Sequence, residues 1–386
     1  MHKIAVIGRG LIGSAATRHL AERMGGVLCI GPDEPESRAN HCGVFASHYD
    51  EGRMTRFVDP WPEWAITAGQ SIQRYRELEH RSGIDFYTPA GYLGLGYPGS
   101  TYNDRCAATA AAHGIRIERV DTDSLRQRYP FLSVEDGVDG LVEMGGAGFI
   151  SPRKLVQAQT RLAERAGATC MRQAARAIRS VTAGVEIELW DGTIEIAERA
   201  LVTAGAFTAA CGLSPMELGL TVFGRTIVLV RIPEEMAGAF ETMPTMIDTS
   251  LGAYILPPIR YPDGQSYLKL GVGDVTDPQL TDLPGLQDWF LSEGSAKDRI
   301  QFTKRMKELF PALERCHDWH TDTCAVAFTK SGLPIIDFVV GEKIAVAVGG
   351  CGKGAKGSDE WGRIAADLVS GTAWSTEIQR EKLALR

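Results

Sequence analysis

The 386-residue chain lacks several features that would settle its class at once. It has no run of 18 or more apolar residues, so no membrane span is expected. Lys and Arg total 41 against 48 Asp and Glu, a net charge of −7. Without a surplus of cations to neutralise phosphates, no nucleic-acid partner is expected. None of the eight cysteines forms a CxxC pair, so zinc-ribbon and dithiol redox motifs have no support and no metal site is expected. Met1-His2-Lys3 leads straight into the apolar Ile4-Ala5-Val6-Ile7, with no charged leader or small-residue cleavage site between them. The expectation is a cytoplasmic location with reduced thiols. No internal repeat is visible.

The rest of the composition is that of a folded globular protein, with 44% hydrophobic and 23% charged residues. At about 150 residues per domain, two to three domains are expected, or two that interleave. Glycine alone is in excess, with 43 residues. That is about 11% against a usual ~7%. No low-complexity run holds them, so they are expected at turns or where backbone approaches a ligand.

The first glycine cluster follows the first apolar run. Ile4–Ile7 reads as a strand buried on both faces, Gly8-Arg9-Gly10-Leu11-Ile12-Gly13 follows, a helical pattern runs from about Leu11 to Met24, and Val27–Ile30 reads as a second strand. This is GxGxxG between strand and helix, the setting in which it binds a dinucleotide. Gly8 permits the tight turn, Gly10 lets the backbone near a pyrophosphate, and Gly13 lets the helix pack close to the strand. The phosphates then meet the helix N-terminus. The acid expected on the ribose, at the end of the second strand, is absent: Gly31 stands there, followed by Pro32, Asp33 and Glu34. Asp33 or Glu34 reaching through a longer loop, a backbone contact from Gly31, and two solvated carboxylates are all open.

In the middle of the chain, a polar loop holds Ser47-His48-Tyr49-Asp50-Glu51-Gly52-Arg53-Met54-Thr55-Arg56. Helices are expected over Trp64–His80, Asn103–His113, Asp121–Tyr129, Leu283–Glu293 and Ala296–Phe310, and after Ser151 as N-cap with Pro152 at its first position. Phe86–Leu95 reads as a hairpin. Val185–Trp190 and Thr193–Ile196 read as another around Asp191-Gly192, with a returning buried strand over Ala200–Ala206. From Arg225 the pattern becomes antiparallel β, over Thr226–Ile232, Ala253–Leu256 and Tyr267–Val272. Near the C-terminus the strand Ile344–Val348 runs into Gly349-Gly350-Cys351-Gly352-Lys353-Gly354-Ala355-Lys356-Gly357, then a helix over Trp361–Ser370. A second strand, glycine turn and helix implies close backbone approach to something flat or anionic.

These residues together resemble the D-amino-acid oxidase superfamily of flavoproteins, within it monomeric sarcosine oxidase and N-methyltryptophan oxidase. The resemblance spans nearly the whole chain. It is carried by GRGLIG, SHYDEGRMTR, GAGFISPRKL, ALVTAGAF, YLKLG, CAVAFTKSGLPIID and GGCGKGAKGS. It implies an α/β fold: a glutathione-reductase-like, FAD-binding Rossmann domain from 1–85, 145–224 and 325–386, and an antiparallel β-sheet substrate domain with helices from 86–144 and 225–324. It implies oxidation of the C–N bond of a secondary amine or amino acid, with hydride passing to flavin N5, reoxidation by O2 to peroxide, and hydrolysis of the imine. A monomer and a small-molecule substrate are implied.

The resemblance also assigns residues. Gly8, Gly10, Leu11, Ile12, Gly13, Asp33, Ser47, Gly205, Gly350, Cys351, Gly352, Gly354 and Lys356 fall at cofactor-binding positions. Cys324 falls where these oxidases attach the flavin, Lys269 at the lysine that activates O2, and Arg53 at the arginine over the flavin ring. Arg56 and Lys356 match the pair that clamps the substrate carboxylate. Gly273 replaces a family histidine, and Lys353 replaces the histidine of a Gly-His-Gly turn. Both replacements fall near the substrate pocket, which suggests a larger or more acidic N-substituted amino acid than sarcosine. Other readings are a flavin dehydrogenase feeding a quinone or electron-transfer protein, an NAD-dependent dehydrogenase, and a non-catalytic flavin-binding subunit. A covalent flavin at Cys324 makes a simple prediction: acid precipitation yields a yellow polypeptide, whereas FAD freed into the supernatant refutes the link.

Overall fold

Ile4 to Ile7 serve two cores at once. In a strand successive side chains point to opposite faces. Ile4 and Val6 pack with Leu20, Trp361 and Ile364, while Ala5 and Ile7 pack with Ile187 and Val346. The computed structural model describes residues 1–143, 145–272 and 277–386. Gly273, expected near the substrate pocket, lies outside the described residues.

The strand His2–Ile7 is flanked by two parallel partners, Val27–Ile30 and Ile194–Val202. Beyond them lie Thr169–Met171 on one side and Ile344–Val348 on the other, again parallel. The sheet is therefore assembled from both ends of the chain and the middle. Helices Leu11–Ala21, Pro152–Arg165 and Ser358–Ser370 are neighbours on one face. The Ser151 cap is realised: its hydroxyl accepts from the Lys154 N–H at 3.2 Å. The hairpin and returning strand expected between Val185 and Ala206 are joined. Ile194–Val202 is one strand whose first half pairs antiparallel with Gly184–Leu189 and whose second half pairs parallel with His2–Ile7. No Gly or Pro between Ile196 and Ala200 interrupts it.

A second sheet of eight strands runs in the order Trp319–Phe328, Thr221–Arg231, Ser266–Gly271, Ala253–Arg260, Thr245–Asp248, Tyr92–Gly96, Asp139–Glu143, Glu118–Val120. All its pairings are antiparallel except Thr245–Asp248 with Tyr92–Gly96. Val228, Ile255 and Leu268 from this sheet pack with Phe302, Met306 and Phe310. The boundaries expected at 224/225 and 324/325 fall inside two paired strands, where Arg225 stands opposite Cys324. The expected Phe86–Leu95 hairpin does not form. Tyr87–Thr88 pairs with Gly148–Ile150 in a small third sheet, and Tyr92–Gly96 enters the second sheet. Pro89 has no N–H for a ladder and Gly91 has φ +83, so the chain turns away between them. No described helix is long and apolar enough to cross a membrane.

The glycine turn is built by close approach. Gly8 has φ +110, and its N–H donates to the Ile30 carbonyl at 2.8 Å. A Cβ on Gly13 would lie 1.8 Å from the Gly8 carbonyl oxygen and 2.4 Å from Thr203 Oγ1. Neither position can relax, because the atoms struck are mainly backbone. Gly13→Ala is accordingly predicted to lower unfolding free energy by about 3 kcal/mol or more, read from the urea midpoint, as overpacking at a backbone contact does. A midpoint equal to wild type would refute the packing account.

Candidate functional site

One cleft joins the two glycine turns. Gly8, Gly10, Leu11 and Ile12 of the first turn and Gly350, Gly352 and Gly354 of the second line it, together with Ser47, Gly205 and Cys324. The helix Leu11–Ala21 begins at Gly10 with no side-chain cap and no acid in its first turn. Its first intrahelical bond is from the Ser14 N–H to the Gly10 carbonyl, so the leading N–H groups are available to an anion in the cleft. In the second turn Gly350 and Gly354 fold against each other; a Cβ on Gly354 would stand 3.1 Å from the Gly350 Cα. Gly13 is not in the wall, and serves the crossing just described. His48 does line the cleft. Burial, with Arg9, Arg153 and Arg53 nearby, lowers its pKa to about 3, so it is neutral at pH 7.

The missing ribose acid has a structural reason. A Cβ at position 31 would lie 2.6 Å from both Cβ and N of Arg9. Arg9 occupies that space, donating from Nε to the Gly31 carbonyl at 3.1 Å. Asp33 pairs with Arg9 and with Arg172, and is outside the lining, while Glu34 pairs with Arg153. The charged side chain bordering this end is thus Arg9, a residue that sequence reasoning passed over. Its signal was an arginine in the glycine motif opposite an absent acid.

Around Cys324 the two sheets meet. Ser47 donates to the Ala325 carbonyl at 2.7 Å, and Arg53 donates to the carbonyls of Ser47 at 2.7 Å and Gly52 at 2.9 Å. Lys269, 1% exposed, donates to Asp50 and to the Gly52 carbonyl at 3.0 Å. Arg53 also pairs with Asp50, and the Tyr261 hydroxyl donates to it at 2.7 Å. Burial raises the Cys324 thiol pKa, a rise that Arg53 and Lys269 oppose only in part. Cys351 is elsewhere. It is the non-glycine residue with positive φ among those described, at +48, and its Sγ lies 3.1 Å from the Gly349 carbonyl in a core cluster rather than in the cleft wall.

The expected clamp pair converges on a carboxylate that the sequence reading did not single out. Asp59 is fully buried; Lys356 donates to its Oδ2 at 2.7 Å, Lys353 to its Oδ1 at 2.9 Å, and Arg56 stands 3.7 Å away. Arg56 is further held by the Val58 carbonyl at 2.8 Å and the Tyr102 hydroxyl at 2.6 Å, with its guanidinium 4.6 Å from the Tyr92 ring centre. The Tyr92 hydroxyl is buried without a partner in the structure. Three cations share one carboxylate, which leaves an excess of positive charge. Burial lowers Lys356 to about 8 despite Asp59, and the cations hold Asp59 well below the carboxylate range against burial. Lys356 does not line the cofactor cleft.

The model of the family described as FAD dependent oxidoreductase matches residues 3–368. The chain belongs to this family. Monomeric sarcosine oxidase of Streptomyces avermitilis is 29% identical over 170 residues, 43% of this chain and 42% of that protein. N-methyl-L-tryptophan oxidase of Yersinia pestis is 25% identical over 208 residues, 53% and 54% of the two chains. The chain therefore spans about half the length of these curated relatives. Among solved structures, NikD, an unusual amino acid oxidase, superposes with a TM-score of 0.78 at 18% identity over 100% of this chain and 97% of that one. Glycine oxidase from Geobacillus kaustophilus gives 0.76 at 21% over 100% and 99%. These show the same fold, an FAD-binding Rossmann-like sheet with a second antiparallel sheet. The cleft fits the family's cofactor: its helix N–H groups carry no cap, and Gly10, Gly205 and Gly352 leave open space where a side chain would stand, which suits an FAD pyrophosphate.

Asp59 generates a stability prediction. Asp59→Asn leaves buried cations unpaired and should lower stability by about 3 kcal/mol at neutral pH. Because the folded Asp59 pKa is depressed, its stabilisation is present above the unfolded carboxylate value near 3.9 and is lost as pH falls through the lower folded one. Urea unfolding of the two proteins should therefore converge in acid; a constant difference down to pH 2 would refute the ion-pair account.

Proposed function

We propose that the chain is an FAD-dependent oxidase of the secondary amine of an N-substituted amino acid, larger or more acidic than sarcosine. The observation that carries this reading is the junction at Cys324, where Arg53 stands in the wall of a cleft shared by both glycine turns and Lys269, outside that wall, meets the same Asp50. When bound, FAD would supply a two-electron acceptor for the hydride on the carbon bearing the nitrogen, with dioxygen as the final acceptor. The N–H groups of Gly10, Leu11 and Ile12 would hold the pyrophosphate, and the backbone of Gly205, Gly350, Gly352 and Gly354 would face the rest of the cofactor. Cys324 would be the attachment sulfur, with Arg53 beside it in the same wall. Lys269 holds a positive charge where oxygen would acquire negative charge.

Arg56 and Lys356 orient the substrate carboxylate, Arg56 through its fork of donors. Lys353 shares Asp59 with Lys356, so that the carboxylate does not neutralise the pair. The excess of cations over Asp59 supports an acidic substrate. A flavin dehydrogenase is separated from an oxidase by the absence of peroxide under air.

The purified protein should show visible flavin bands, bleached anaerobically by members of a panel of N-alkyl amino acids, with peroxide on readmission of air; a colourless protein refutes the reading. Lys269→Met should slow reoxidation by roughly a hundredfold and spare anaerobic reduction. Equal losses in both steps would refute the role of Lys269. Substrate affinity should be greatest below pH about 8 and fall above it, since Lys356 is charged only below that value. A flat profile from neutral pH to pH 10 would remove Lys356 from the clamp.

A further inference from the structure

Asp50 stands in the SHYDEGRMTR segment with no role assigned by the resemblance, yet it is the most heavily committed carboxylate beside the cleft. It is 5% exposed. Its Oδ1 accepts from the Glu51 N–H at 2.7 Å and the Tyr261 hydroxyl at 2.7 Å, and its Oδ2 meets Lys269 Nζ and Arg53. Asp50 and Arg53 border a small cavity together with Ser47 and Cys324, so this cluster adjoins the cofactor cleft.

Lys269 needs such a partner. It projects from the central strand Ser266–Gly271 and is 1% exposed. A buried ammonium without a counter-charge costs several kcal/mol, or gives up its proton. The titratable and charged groups facing it are Asp50 and Arg53 from the loop, Asp322 and Cys324 from Trp319–Phe328, and the Tyr254 ring 5.6 Å from its Nζ. Burial and Arg53 push the ammonium well below its ordinary range. Asp50 is the carboxylate in direct contact, and Asp322 acts from a distance.

We propose that Asp50 is the positioning residue for Lys269: its carboxylate fixes the ammonium in the cluster beside Cys324 and supplies the counter-charge that favours its charged form there. The inference rests on the oxidase reading only for what the positive charge then does. Tyr261 and the Glu51 N–H hold the carboxylate in place, and Arg53 shares it, so two cations and one anion leave a single net positive charge at this point.

A double-mutant cycle of urea unfolding against pH, with Asp50→Asn, Lys269→Met and both together, tests it. With Asp50 present, the effect of Lys269→Met on stability should begin to change with pH at a midpoint below the ordinary lysine range. With Asn at 50 the folded pKa of Lys269 should fall further, so the change should begin at lower pH. In both backgrounds stability relative to the Lys269→Met counterpart rises with pH above that midpoint, with a slope approaching one proton. The same midpoint in the two backgrounds overturns the proposal. If Asp50→Asn fails to fold while the double variant folds, the unpaired ammonium is the cause and the proposal is supported. If both fail, Asp50 serves something other than Lys269 and the proposal falls. The measurement needs no cofactor, so a protein without flavin would overturn the oxidase reading and leave this outcome readable.

Discussion

The contact on which the rest depends is the approach of Gly13 to the Gly8 carbonyl, where a Cβ would sit at 1.8 Å. It lets the helix Leu11–Ala21 start directly off the end of the first strand, with Thr203 of the neighbouring parallel strand against the same turn. The Thr203 hydroxyl donates to the Gly8 carbonyl at 2.7 Å and ties the third strand to the turn. With the helix so placed, its uncapped N–H groups open into the cleft, and its other face packs against Ser358–Ser370 from the far end of the chain. The second glycine turn reaches the same cleft because the helix that follows it is held there.

Buried charge organises the rest. Three carboxylates, Asp50, Asp59 and Asp359, each gather cations from distant segments. Asp359, fully buried in the first turn of Ser358–Ser370, accepts from Arg18 at 2.8 Å, Arg74 at 2.5 Å and Gln159 at 2.7 Å. Those three lie on three other helices, so one side chain fixes four. Removing one partner from such a buried set leaves a charge without compensation, at about 3–5 kcal/mol. Asp50 and Asp59 apply the same device, Asp50 to Lys269 and Arg53 and Asp59 to Lys353, Lys356 and Arg56.

Local patterns were legible wherever one segment satisfied itself. The strand, turn and helix at Ile4–Ala21, the Ser151-Pro152 helix start and the C-terminal glycine turn rest on neighbouring residues, and their sequence carries the geometry. Pairing was less legible. Tyr87–Thr88 and Tyr92–Gly96 look like hairpin arms, and only distant partners divide them between two sheets. Asp50, Asp59 and Arg9 were legible as letters and not as roles, because an acid in a loop looks solvated until the lysine it meets 200 or more positions away is in place.

By itself the sequence determined the class: a dinucleotide-binding α/β chain with two glycine turns, and a family resemblance carried by motifs in order. These follow from short-range sterics, which a few adjacent residues impose on their own backbone. The tertiary structure decided which charges meet. Lys269 finds Asp50, and Lys356 and Lys353 find Asp59, only after the two sheets and the C-terminal turn converge. Burial then sets the energy of each pair, and burial is a property of the assembled fold rather than of any segment.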